Sequence, residues 1–193
     1  MARPTCLCRL LGGVIFMRWG YLYGRRIIAE DKPRGKIAGR FVNILSKLMI
    51  GLIQRVTHAS VTVEGNITGQ INHGILAFIG VERQDGAQQA DRLLERVLNY
   101  RVFADDAGKM NLSLKDIDAG LLLVPQFTLV ADTRKGNRPG FSNGASPEHG
   151  EQWFTYLLNR ARQQHSDIAS GQFGADMKVE LLNDGPVTFW LQV

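Results

Sequence analysis

Two short segments of the 193-residue chain pair reactive residue types with a backbone path that could aim them. In Pro125-Gln126-Phe127-Thr128-Leu129 a buried apolar run meets a polar turn, where backbone N–H groups can point into a cleft. Pro125 has no N–H to give. The N–H groups of Phe127 and Thr128 are therefore the candidate donors to a developing oxyanion, a role in which each donor carries about 10²–10³ in rate. On residue types alone an ordinary strand end, with Thr128 as a β-former, stays open as the plainer alternative. The second segment, Asn183-Asp184-Gly185-Pro186-Val187-Thr188, reads as a tight connection between two strands. A cis bond before Pro186, which proline permits more readily than any other residue, would turn consecutive carbonyls the same way.

Other sources of chemistry are missing. The chain has no phosphate-binding glycine loop, no dinucleotide fingerprint, no Gly-x-Ser-x-Gly elbow and no His-Glu-x-x-His. His58, His73, His149 and His165 stand apart in sequence, two at turns beside strands and two on the second helix, where an exposed or capping imidazole is the plain reading. Cys6 and Cys8 are one residue apart, a spacing that suits neither zinc nor a disulfide framework. No metal and no cofactor are expected, and any hydrolysis has to proceed without an evident side-chain base.

The elements that would position the two segments follow from periodicity. Ile50–Thr57 is a strand candidate, and Ser60–Glu64 alternates apolar and polar before a Gly65-Asn66 turn into Ile67–Ile71. Ile75–Val81 and Leu121–Val124 are nearly continuous apolar runs, as buried strands are. Between them, residues 86–101 carry Ala90, Leu93, Leu94, Val97 and Leu98 on one helical stripe, with Asp85 as a cap. A polar, Gly-rich loop spans 132–144. A second helix follows, with Ser146 as cap, Pro147 at its first position and a stripe of Trp153, Phe154, Leu157, Leu158 and Ala161. Met177–Leu182 and Val187–Val193 are the last strands. The fold class is α/β, with a mixed, largely antiparallel sheet curled into a barrel-like core and closed by two helices.

The formal net charge of +5 is unevenly spread. Residues 1–49 hold 10 Lys/Arg against Glu30 and Asp31, whereas residues 50–193 hold 13 Lys/Arg against 16 Asp/Glu. The basicity thus belongs to residues 1–48, read as a disordered extension or as sequence upstream of a true start at Met49, with a targeting peptide as the weaker alternative. The apolar run from Leu10 to Met17 is too short to span a bilayer. A cysteine-free main domain at 49–193 fits a reducing cytoplasm.

From Met49 to Val193 the chain resembles bacterial D-aminoacyl-tRNA deacylases. Three separated pieces carry the resemblance: the opening Leu52-Ile53-Gln54-Arg55-Val56-Thr57-His58-Ala59-Ser60-Val61, the motif Gln126-Phe127-Thr128-Leu129, and Asn183-x-Gly185-Pro186-x-Thr188. The resemblance implies hydrolysis of the ester between a D-amino acid and the 3′ end of tRNA, with Gln126, Phe127 and Thr128 at the catalytic site; mischarged glycine joins the expected substrates because a site that rejects L side chains sterically cannot exclude a residue without one. It implies a homodimer in which Gly185 and Pro186, joined by a cis bond, reach into the other subunit's site and exclude L side chains. Arg55, Asn183 and Thr188 would support that pair. Arg134, Lys135 and Arg138 are the basic cluster expected to meet tRNA, with a merely solvated loop open as the plain alternative. DNA and membrane are not expected partners. The family's motif commonly begins with Ser, where this chain has Pro125 and so lacks a hydroxyl contact. The rival readings are an RNA-binding module without chemistry, a hydrolase that mainly clears achiral or small L-amino acids, and a purely structural oligomer.

Overall fold

A computed structural model describes residues 49–134 and 136–193; the expectations for residues 1–48 and for Lys135 lie outside the described residues. The opening strand, β1 (Ile50–Val63), is one 14-residue element where two strands are expected from sequence. Continuous pairing explains the fusion. One edge of β1 is shared between β3 (Gly74–Gly80), along Ile50 to Val56, and β2 (Asn66–Ile71), along Ala59 to Val63. The β1–β2 turn falls on Glu64 and Gly65, with φ of 50° and 82°, one residue earlier than the expected Gly65-Asn66. Two successive positive φ values give the turn the twist that a hairpin favours, and Asn66 is already paired with Val63.

From β3 the sheet continues in parallel to β6 (Gly120–Pro125) and β7 (Ile168–Ser170). It then rolls shut. A Cβ placed on Gly69 of β2 would lie 2.4 Å from the Ser170 carbonyl oxygen, so the first and last strands of the path touch where only glycine fits. Both faces of the central strands are consequently buried, which is why β3 and β6 read as unbroken apolar runs. Leu76, Leu122 and Val124 point into the barrel with Val56, Ala59, Val61 and Ile71. Ile75, Ala77, Ile79, Leu121 and Leu123 point outward into a second core beneath the helices.

The helices covering that face are α1 (Ala87–Asn99) and, after the short α2 (Leu114–Ile117), α3 (Pro147–Gln164). The expected α1 stripe is wholly buried. Its cap is Gly86, not Asp85: the Gly86 N–H donates to Gln89 Oε1 at 3.1 Å, while Asp85 turns inward and accepts from the Glu82 N–H at 2.7 Å. Helix α3 begins as its sequence indicates, with the Ser146 hydroxyl accepting from the His149 N–H at 3.3 Å and Pro147 following. Phe154, Leu157 and Ala161 are buried; Trp153 and Leu158 are half-buried at its margin. The hairpin of β4 (Phe103–Ala104) and β5 (Met110–Leu112) has too few residues for a periodic signal.

The largest departure from the sequence reading is at the C-terminus. Residues 177–182 and 187–193 are not two strands joined by a turn. They belong to one strand, β8 (Met177–Gln192), antiparallel to β1 along its free edge. Thr188 pairs with Gln54 and Asn183 with Val56, so the single residue Arg55 faces the four residues from Asp184 to Val187. Asn183-Asp184-Gly185-Pro186 is a bulge in a continuing ladder.

Candidate active site

A cavity of about 500 Å³ opens where β6 ends against the start of α3, a size suited to a small organic group. Its floor is apolar, built from Val124, Phe154, Phe173, Met177 and Val179, and its mouth is formed by Pro125, Gln126 and Phe127. The far wall is the segment from Phe141 to Pro147.

At the mouth the chain changes conformation. The Gln126 N–H makes the last sheet contact, donating to the Ile79 carbonyl at 2.7 Å, and Phe127–Val130 then forms a 3₁₀ turn where sequence suggests a strand running on. Val130 is buried, which pulls the turn inward, whereas Phe127 is 67% exposed. A helical turn leaves its leading N–H groups without acceptors inside the turn, and here these belong to Phe127 and Thr128. Phe127 packs against Phe141 with ring centroids 5.3 Å apart. The Thr128 hydroxyl accepts from Gln126 Nε2 at 2.5 Å and has no imidazole or carboxylate partner among the described residues. A threonine hydroxyl needs a neighbouring base to act as a nucleophile.

The bulge on β8 is braced from three sides. Arg55, nearly buried, donates from Nη1 to the Val102 carbonyl at 2.6 Å and from Nε to the Asp184 carbonyl at 3.2 Å, and pairs with the Asp184 carboxylate at 3.0 Å. Asn183 Oδ1 accepts from the Val187 N–H at 3.0 Å, while its amide donates to Thr188 Oγ1 at 2.9 Å. Gln54 Nε2 also donates to that hydroxyl, at 3.3 Å. Gly185 has φ of 131° and a Cβ there would sit 2.7 Å from Val187 Cγ2, so the position requires glycine. The Gly185-Pro186 bond is cis, and both residues are exposed. Within one protomer, then, Gln126 and Phe127 line the cavity and Thr128 follows them in the turn, bonded to Gln126 but not itself a lining residue, while Arg55, Asn183 and Thr188 gather around Gly185 and Pro186; the two groups are not brought to one site. Neither Gly185 nor Pro186 lines the cavity.

The basic cluster is less free than its sequence suggests. Arg134 forms a double contact with Asp132, from Nε at 2.8 Å and Nη2 at 2.6 Å, whereas Arg138 is exposed. Two histidines serve the scaffold, His149 against the Asp85 carbonyl at 2.9 Å and His165, buried, against the Ala119 carbonyl at 2.6 Å. Among the described residues no three His, Cys, Asp or Glu side chains converge as metal ligands. Behind the far wall, burial pushes the Asp85 carboxyl up to about 6, against the opposing pull of the Glu82 N–H, the Met49 N–H and His149. Sequence reading missed Phe141, Phe173 and Met177. Their types are ordinary for a core, and only the enclosing fold marks them as pocket walls.

The sequence profile of the D-Tyr-tRNA(Tyr) deacylase family matches residues 52–192. A D-aminoacyl-tRNA deacylase of Stutzerimonas stutzeri (strain A1501) is 62% identical over 144 residues, covering 75% of this chain and 99% of that one. One from Escherichia coli O1:K1 / APEC is 57% identical over 145 residues, covering 75% and 100%. Among solved structures, a c-Myc DNA unwinding element binding protein superposes with a TM-score of 0.72 at 37% identity, covering 75% of this chain and 98% of its own. A probable eukaryotic D-amino acid tRNA deacylase shares the fold, with a TM-score of 0.64 at 16% identity. With Gln126 and Phe127 at the mouth of an apolar pocket and relatives matched from end to end, the chain belongs to the D-Tyr-tRNA(Tyr) deacylase family, hydrolases that act on aminoacyl-tRNA.

Proposed function

We propose that the cavity receives the aminoacyl end of D-aminoacyl-tRNA, and of mischarged glycyl-tRNA, and that Gly185 and Pro186 of a second copy close it against L side chains. The observation that carries this reading is the braced bulge. Arg55, Asn183, Thr188 and Gln54 hold Gly185 and Pro186 in one exposed conformation, yet the pair does not line the active-site cavity of its own protomer. A second copy supplies the missing use. The outer face of the β1–β8 ladder suits such a contact, with exposed Trp190 opposite Leu52 and exposed Leu182 opposite His58.

In this reading water attacks the ester carbonyl carbon, assisted by the vicinal 2′-hydroxyl of the terminal ribose, and the carbonyl oxygen gains negative charge. The N–H groups of Phe127 and Thr128 stabilise that oxyanion. Collapse re-forms the carbonyl and breaks the bond to the ribose 3′-oxygen, which takes up a proton, so a free amino acid and intact tRNA leave. Thr128 orients substrate through its contact with Gln126. Rejection of L-substrates is steric and made by main-chain atoms, and glycine, with no side chain, passes. Such proofreading belongs in the cytoplasm, where charged tRNA is used.

Heterodimers test the cross-subunit wall. Phe127→Pro removes one oxyanion donor at the head of the turn, where proline fits, and Gly185→Ala strains the wall. Purified heterodimers of the two variants contain one site with both native parts only if the wall comes from the partner. They are expected to hydrolyse D-aminoacyl-tRNA at about half the native rate and to leave the L-ester intact. Inactive heterodimers, or ones that cleave both esters, would overturn the reading.

A further inference from the structure

Beside the active-site cavity lies a shallower depression of about 450 Å³, lined by Arg83, Phe141, Gly144, Ala145, Ser146 and His149. Four of these, Phe141, Gly144, Ala145 and Ser146, also line the active-site cavity, so the two spaces adjoin across one wall. The backbone of Arg83 is fixed to that wall, its N–H donating to the Asn143 carbonyl at 3.1 Å, and the preceding Glu82 bridges to Gly144. Its guanidinium is different. It is exposed and has no hydrogen bond or ion pair among the described residues, whereas Arg55, Arg92, Arg134 and Arg160 are each paired with a carboxylate.

The substrate's ester is the end of a polyanionic strand, which has to leave the cavity over its rim. Phe141 stands on that rim, 43% exposed, with its ring beside the still more exposed Phe127. Proteins hold single-stranded nucleic acid with aromatic faces for the bases and cations for the backbone, and a guanidinium matches a phosphate with two parallel N–H donors.

We infer that Arg83 binds a backbone phosphate of the RNA strand just upstream of the terminal nucleotide, with Phe141 as the aromatic surface the strand crosses between cavity and phosphate. The inference rests on the reading of the cavity as the seat of the aminoacyl end. Arg83 is thus a substrate-binding residue outside the motifs that define the site, and it acts only on substrates long enough to carry that phosphate.

The test compares native protein with Arg83→Ala on two esters of the same D-amino acid: aminoacyl-tRNA and aminoacyl-adenosine, which has no phosphate. On tRNA, kcat/KM is expected to fall about tenfold, mostly through KM, as for loss of one charge-assisted contact. On aminoacyl-adenosine it should not change. The slope of log kcat/KM against log salt for tRNA should flatten by about 0.7, and Arg83→Lys should recover most of the loss. Equal losses on both esters, or no loss on tRNA, would overturn the inference. Failure of the underlying reading looks different, because the native protein would then leave both esters uncleaved.

Discussion

Arg55 and Asp184 are locked together across the β1–β8 ladder, side chain to side chain at 3.0 Å and side chain to carbonyl at 3.2 Å, while the same guanidinium reaches the Val102 carbonyl. One residue thereby fixes the approach to Gly185. Arg55→Ala is expected to cost about 1–3 kcal/mol in urea unfolding, because it leaves hydrogen-bonding groups without their charged partner. It should also reduce discrimination between D- and L-esters. Arg55→Lys keeps the charge but not the fork of donors, so it should recover stability better than selectivity.

Thr128 separates two mechanisms. Among the described residues its hydroxyl meets only the Gln126 amide, so Thr128→Ala is expected to lower single-turnover hydrolysis by less than about tenfold, as for a lost orienting contact. A fall of several orders of magnitude in a folded variant would make it the nucleophile.

Asp85 gives a pH dependence of stability. Its carboxyl rises from 3.8 to about 6 on burial, so the folded chain keeps a proton that the unfolded chain has already released. The associated stability is fully present below the unfolded value and is lost as pH rises through about 6, a change on the order of 2–3 kcal/mol. Asp85→Asn retains an oxygen for the Glu82 N–H and cannot ionise. It should raise the urea midpoint at pH 8 and leave it nearly unchanged at pH 4.

Arg134 and Arg138 should not contribute equally to tRNA binding. Arg134 is already paired with Asp132, while Arg138 is exposed. Arg138→Ala is expected to raise KM for aminoacyl-tRNA by about threefold at low salt, and Arg134→Ala by less, with both effects fading as salt screens the contacts.

Much of this architecture is legible in the sequence wherever periodicity carries information. The α1 stripe, the Ser146-Pro147 helix start and the two-sided burial of β3 and β6 all follow from local pattern. Legibility ends where a distant partner decides the conformation. Asn183-Asp184-Gly185-Pro186 has turn chemistry, yet β1 continues pairing on both sides of it, and tertiary pairing overrides the local preference. The same holds at Phe127–Val130, where burial of Val130 curls a β-prone segment into a 3₁₀ turn. At the site, Gln126 to Thr128 and Gly185 to Thr188 are visible as motifs, but Phe141, Phe173 and Met177 become pocket walls only through the closure of the barrel.

Stereochemical selection is most directly read by presenting purified protein with the same tRNA charged with either enantiomer of one amino acid and timing ester release. A main-chain wall predicts that the D-ester is cleaved at least about a hundredfold faster than the L-ester. Equal rates for the two would contradict it.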